Sequence, residues 1–348
     1  MPMANIGRFK MADFTDECKN TIEHVQDLLK QNKEWESRYL KYAEKINNNL
    51  KAIQDKRRKF HEWSSLYLYM NVTEAQGRKI FSLRYLGQDV AKLKVGKDKI
   101  TISTKDFEEN NKRDFLDYVP LKRDKDKDVE WNSPAASDFR RYFSSNPKRT
   151  NSSEKKKNEH RIESLLLTEF LKKKSTDKQL LNIQPVKLAK IARFQMPTPL
   201  SASNKKKVEY ANQYGGGIDI MSRIGKGRST KLCVMELKDE NKSKEPPTTA
   251  IKQGLAYATF IRELLRSKSG DKWWNLFGFK GKCPVKLELY VACVMPSVSK
   301  NDKSFAGGKI TLDENDSFYL HYIYFKEDNN KIVNIDTSLK ECSTKNRI

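Results

Sequence analysis

The chain is 348 residues long, enough for two domains. Lys and Arg number 68 against 45 Asp and Glu, and the formal charge of +23 favours a polyanionic partner, nucleic acid first. The five cysteines form no C-x-x-C pair, which argues against a disulfide framework or a zinc knuckle; the four histidines are scattered, so a His-based metal site or a Ser-His-Asp hydrolase has little to build with. No apolar run is fit for a signal peptide or approaches a membrane span. No membrane partner is expected, and the thiol pattern suits a reducing, cytoplasmic setting.

Residues 13–59 are helical in pattern. Ile22, Val25, Leu28 and Leu29 recur three and four apart, and Trp35, Tyr39, Leu40, Ile46, Leu50 and Ile53 extend the stripe. One long helix, or two broken near Gln31-Asn32, fits this spacing. The basic run Lys56 to Lys59 closes it where the helix dipole favours cations. The preferred reading is an amphipathic helix packed on the domain that follows.

Residues 63–105 switch to alternation, with Gly87 and Gly96 to Asp98 supplying turns, and predict a small antiparallel sheet. Helix and sheet together make an α+β N-terminal domain over residues 1–150, with no role assigned. Residues 106–132 read as a loop of mixed charge, and Ser133-Pro134 starts a short helix through Tyr142. The polar stretch from Ser144 to Asn158 is the expected boundary.

The second domain, residues 151–348, opens with a helix over 159–174. Pro185 to Met196 reads as a first core strand. A loop then leads to Lys205, Lys206 and Lys207. Strands follow at Ile218 to Met221 and Leu232 to Lys238, with Ser222 to Lys231 as a long hairpin turn. Thr248 or Thr249 is expected to cap the next helix, on which Gln253 and Tyr257 share a face. Trp273, Trp274, Phe277 and Phe279 read as a satellite core, with base stacking or a duplex wedge as the alternative. Val285 to Met295 is a core strand, Asn301 to Gly308 a loop. Phe318 to Phe325 and Lys331 to Ile335 form a final hairpin turned at Asp328 to Asn330.

The chemistry gathers on the 218–238 hairpin. Leu232, Val234, Glu236 and Lys238 are two apart, so they share one strand face. Asp219 on the neighbouring strand comes close to them. Two carboxylates side by side repel and are costly to desolvate, and a divalent cation removes that conflict. Mg²⁺ takes a few carboxylate oxygens and leaves room for water and phosphate oxygens. A lysine beside it can orient water and stabilise developing charge.

Asp219, then Glu236-Leu237-Lys238, then a helix with Gln253 and Tyr257, resembles the PD-(D/E)xK nuclease superfamily over about residues 155–300. Ile218 stands where the name-giving proline would be. Other Glu-x-Lys triplets occur, as at Glu17, Glu154 and Glu240, without the flanking strand, acid and helix. The resemblance implies an α/β fold, α+β overall, of the restriction-endonuclease-like kind: a mixed central sheet flanked by helices. It implies a Mg²⁺-dependent deoxyribonuclease in which Mn²⁺ can substitute. Asp219, Glu236 and the Leu237 carbonyl would hold the metal, Lys238 would position the water, and Gln253 would support the site. A helix ahead of the sheet usually adds an acid: Glu163, or Glu159 one turn earlier. Lys205, Lys206, Lys207, Lys226 and Arg228 are the cations expected to meet the nucleic-acid backbone. Two other readings stay open: a nucleic-acid-binding module on an inactive nuclease fold, and an interaction protein whose basic charge is incidental.

Overall fold

Apolar positions three and four apart wind the chain into two helices before any strand forms. The computed structural model describes residues 4–54, 66–70, 72, 80–96, 99–104, 129–145, 158–171, 183–188, 192–202, 207–212, 214–239, 245–298, 301–329 and 331–339. Helix α1 spans Ala4–Gln31 and α2 spans Glu34–Gln54. The break falls where expected. The Asn32 side chain donates to the Leu28 carbonyl (2.7 Å), and the Trp35 indole donates to Leu29 (3.1 Å), so carbonyls of the last turn find partners.

A five-stranded antiparallel sheet follows: β1 (Leu66–Tyr69), β2 (Ile80–Tyr85), β3 (Gln88–Val95), β4 (Ile100–Ser103) and β5 (Val129–Glu130), in that order across the sheet. Leu86 and Gly87 turn β2 into β3 with positive φ at both positions, the two-residue hairpin geometry that matches strand twist. Helix α3 (Pro134–Ser145) starts with proline in its first turn, and the Ser133 hydroxyl accepts from the Ala136 N–H (3.2 Å). Helix α4 is Asn158–Leu171. It lies against the small sheet: a Cβ on Gly87 would sit 2.3 Å from the His160 carbonyl oxygen.

The remaining strands are β6 (Ile183–Pro185), β7 (Met196–Thr198), β8 (Leu200–Ser201), β9 (Glu209–Tyr210), β10 (Gly216–Ile218), β11 (Ile220–Ile224) and β12 (Lys231–Leu237). Then come α5 (Pro247–Arg266), α6 (Gly270–Leu276), β13 (Glu288–Pro296), β14 (Lys309–Thr311), β15 (Ser317–Asp328) and β16 (Lys331–Thr337). The main sheet runs β14-β15-β13-β12-β11-β6, with β16 also on β15. Strands β12, β13 and β15 are mutually parallel and the other pairs antiparallel. The near-continuous apolar runs of β12 and β13 reflect burial on both faces. The fold is therefore mixed α/β, with six α-helices and a mixed sheet among the described residues. No helix among them is long and apolar enough to cross a membrane.

Five expectations need correcting. First, the described contacts of α1 and α2 are chiefly with α5 and α6, not with the small sheet. Gln26 donates to Glu263 (3.0 Å), Trp273 donates to the Tyr39 carbonyl (3.2 Å), and the Tyr39 hydroxyl donates to Pro197 (2.7 Å). Phe260 packs edge-on against both Trp35 and Tyr39. The aromatic end of the helical stripe finds aromatic partners there, and one cluster of buried apolar side chains runs from Cys18 to Leu339.

Second, Pro185 to Met196 is not one strand. Its start pairs with β11, its end with β10, and Arg193 between them bridges to Tyr69 of β1, with its guanidinium over the Tyr67 ring. Third, β11 continues to Ile224, so the turn is shorter than expected. Fourth, α5 has no side-chain cap: Pro246 precedes it, Pro247 has no N–H to satisfy, and the Thr249 N–H donates to the Pro246 carbonyl (2.9 Å). Fifth, Trp273 and Phe277 are buried, but in the main apolar cluster, with Trp273 against Tyr39, rather than in a separate satellite core. The run Lys56 to Lys59, the loop at 106–128, Lys97, Asp98, Lys205, Lys206, His61 and Cys342 lie outside the described residues.

Candidate active site

The site forms where one strand leaves another. Strand β11 pairs with β12 as far as Ile220, opposite Met235. One residue earlier the chain has crossed to β7, which pairs with β10 through Ile218 and Met196. Asp219 occupies the break. Beyond Met235, the edge of β12 no longer has β11 as its partner. The Leu237 N–H donates instead to Asp219 Oδ2 (2.9 Å). A side chain thus completes what the missing strand would have supplied.

Glu236, the residue before Leu237 on β12, is only 3 % exposed. Lys238 follows at the strand end, its N–H donating to Val294 of β13 (2.9 Å). Its Nζ donates to Glu236 Oε1 (2.7 Å) and to Gln253 Oε1 (2.8 Å). Gln253 reaches Lys238 because α5 lies close on the sheet. A Cβ on Gly254 would be 3.0 Å from Val291 Cγ1 and 3.6 Å from Glu236 Cβ, so the helix packs there with nothing between. Gly216 serves the same purpose at Tyr257, whose hydroxyl would be 3.0 Å from an added Cβ.

The electrostatics of the trio are unbalanced. Burial raises the Asp219 carboxyl to about 7; the Leu237 N–H opposes that shift, while Glu163 and Glu159 add to it. Burial and then Asp219 hold Glu236 well above the ordinary carboxylate range, and Lys238 offsets this only in part. Lys238 is raised: burial works against its charge, but Glu236 outweighs that. Glu236 Oε2 is buried and has no hydrogen-bond partner. An orphaned buried carboxylate oxygen costs more than about 1–3 kcal/mol. The arrangement is short of positive charge at one point, and a cation beside Asp219 and Glu236 fits that shortage. Among the described residues, no three His, Cys, Asp or Glu side chains converge into a ready cage. The donors present are two carboxylates and a main-chain carbonyl, which suits an ion that keeps much of its water.

The two helix acids differ. Glu163 is buried; Tyr69 donates to its Oε1 (3.1 Å) and His160 Nδ1 lies 3.5 Å from its Oε2. That hydrogen bond to Glu163 raises the His160 imidazole, against its burial. The Glu163 carboxylate is therefore engaged at both oxygens. The charge of Glu159, one turn earlier, acts on Asp219, Glu236 and Lys238 alike. Glu163 acts more strongly on Asp219, whereas Glu159 reaches Glu236 and Lys238 as well.

Lys226 and Arg228 are exposed at the far end of the β11–β12 hairpin. Five strand positions separate Lys231 from Glu236, on the order of 17 Å, so these cations do not meet the acids. Lys207 is exposed beside Val208, whose carbonyl contacts His24 of α1 (2.8 Å). Sequence reasoning missed Tyr69 and Arg84, which the small sheet brings to the rim. The Arg84 guanidinium lies 4.3 Å over the Tyr69 ring and is bonded to Asp89 (2.9 Å). It also missed His160 and the part-exposed Tyr214, whose hydroxyl is raised by partial burial and by Asp219. Nothing in the alternation of β1 and β2 marks these residues, since each contact spans a long stretch of chain.

Comparison with protein-family models, with curated proteins and with solved structures finds no match for this chain.

Proposed function

We propose that the chain is a Mg²⁺-dependent nuclease that hydrolyses phosphodiester bonds in DNA, on a restriction-endonuclease-like fold. The observation that carries this reading is Glu236: a desolvated carboxylate beside Asp219, bound by Lys238 at one oxygen and by nothing at the other. The order of parts supports it. An antiparallel hairpin bears the acids, a helix bears the glutamine, and a parallel strand follows. The residues that would hold Mg²⁺ are Asp219, Glu236 and the Leu237 carbonyl; strand geometry sends that carbonyl to the same edge as its N–H. The ion would supply charge neutralisation and an acidified water.

The chain's own residues do the rest. Lys238 has three donors and spends one on Glu236 and one on Gln253. The third is left for the attacking water or a phosphoryl oxygen. Gln253 and Glu236 fix the direction of that third donor, which is the preorganisation that electrostatic catalysis needs. The +23 charge of the chain draws the polyanion in.

The test incubates wild type and Lys238→Ala with labelled duplex and single-stranded DNA and RNA, in Mg²⁺, Mn²⁺ or EDTA. Expected are cleavage of DNA, arrest by EDTA, and a loss of at least about a hundredfold in the variant, ~2.7 kcal/mol of transition-state stabilisation. Tight, salt-sensitive binding without cleavage would replace this reading with an inactive binding module. Neither binding nor cleavage would overturn both.

A further inference from the structure

A cleft of about 790 Å³ opens at the end of the main sheet opposite the acids. Its walls are the β11–β12 turn, Gln184 of β6 and the segment between α6 and β13. Seven basic residues line it against one acid. The acid, Glu288, is already bound by Lys231, which holds its carboxyl below the usual range. Arg228, Lys280 and Lys282 are exposed and have no acid within ion-pair distance among the described residues.

The cleft is built rather than incidental. Arg223 clamps its walls together: one guanidinium nitrogen donates to the Gly278 carbonyl (2.8 Å) and another to Gln184 (2.9 Å). Gly278 takes a φ of +90°, and a Cβ there would lie 3.1 Å from that guanidinium. Half-buried Phe279 stacks on Trp274 at 3.8 Å, and both rings line the cleft. Cations alone would suit any polyanion. Cations around an aromatic ring suit a strand whose phosphates alternate with flat bases, since base stacking is tolerant of sequence. The volume also exceeds what a single phosphate fills.

We infer that this cleft is a second, non-catalytic binding site for the phosphate backbone and bases of a single nucleic-acid strand, set about one strand length from Glu236. The inference does not need the nuclease reading: it asks for binding, not cleavage.

The test is fluorescence anisotropy of a labelled oligothymidylate with the full chain in EDTA, across a salt series. It compares wild type, Arg228→Glu/Lys282→Glu, Phe279→Ala and a control of equal charge change, Lys41→Glu/Lys45→Glu, on exposed positions of α2. Circular dichroism checks that each variant is folded. The cleft pair is expected to lose at least tenfold in affinity and to flatten the salt slope by about 1.4, two contacts at ~0.7 each on a single strand. Phe279→Ala should weaken binding and leave the slope alone. The control pair should change little. Equal losses in both charge-reversed pairs, or none in the cleft pair, would overturn the inference. Inorganic tripolyphosphate or polyglutamate displacing the oligonucleotide at equal charge concentration would also overturn it, by showing a small-phosphate or charge-only groove.

Discussion

Asp219→Asn keeps the shape of the side chain and removes its charge. The amide oxygen can still accept from the Leu237 N–H, now at 2.9 Å from Oδ2. Burial holds the native carboxyl at about 7, against an ordinary 3.8. The folded chain therefore binds this proton more tightly than the unfolded chain does. The stability it lends is fully present below about pH 4 and is lost as pH rises to about 7. At ~1.36 kcal/mol per pH unit the loss approaches ~4 kcal/mol, a large share of the roughly 5–15 kcal/mol that holds a domain folded. Asparagine has no such proton to lose. In urea unfolding followed by tryptophan fluorescence, in EDTA, the two proteins should match near about pH 4, and the variant should be more stable by about 2–4 kcal/mol near pH 8. Mg²⁺ should narrow the gap, because a ligand that binds only the folded wild type stabilises it. A gap that stays flat across this range, or a variant that is weaker at the alkaline end, would refute the claim that Asp219 is held desolvated.

Gly254→Val puts a branched side chain where even a Cβ would be 3.0 Å from Val291. It should cost about 1–3 kcal/mol in thermal unfolding and slow cleavage by drawing Gln253 away from Lys238; an unchanged melting temperature would deny the close approach of α5. Glu159→Gln should raise the Mg²⁺ concentration needed for half-maximal cleavage by about tenfold or more. Glu163→Gln should instead cost about 1–3 kcal/mol of stability, by weakening its bonds to Tyr69 and His160, with a smaller effect on Mg²⁺ demand. The reverse ranking in a Mg²⁺ titration would make Glu163 the helix acid.

The trio was legible because a strand's period is local. Glu236 and Lys238 are two apart, and two apart means one face whatever the rest of the chain does. Helix α5 and strands β13, β15 and β16 could be read for the same reason. What the sequence concealed was the partner of each buried face. The stripe on α1 and α2 says that a face is covered, and is silent on whether the small sheet or α5 covers it. The apolar alternation from Pro185 to Met196 fits one strand as well as two short ones in different sheets. Helical spacing puts Glu159 and Glu163 on one face, and cannot say which of them Tyr69 engages from 94 positions away. The cleft at the sheet's other end was hidden in the same way. Its cations come from separate stretches of a lysine-rich chain, where no single run stands out.

The docking of α1 and α2 onto α5 and α6 has a consequence in time. Gln26 meets Glu263 across 237 positions, and Trp273 meets Tyr39 across 234. A ribosome adding ~5–20 residues per second takes roughly 12–50 s to cover that interval. Throughout it, the faces bearing Ile22, Val25, Leu29, Trp35 and Tyr39 exist without the surface they bury against. Helices that form in microseconds must therefore wait for a partner made much later, exposed to other nascent chains and to chaperones. Closing so long a loop is what lets α1 and α2 settle on α5 and α6, so their final packing waits for residues 263–273.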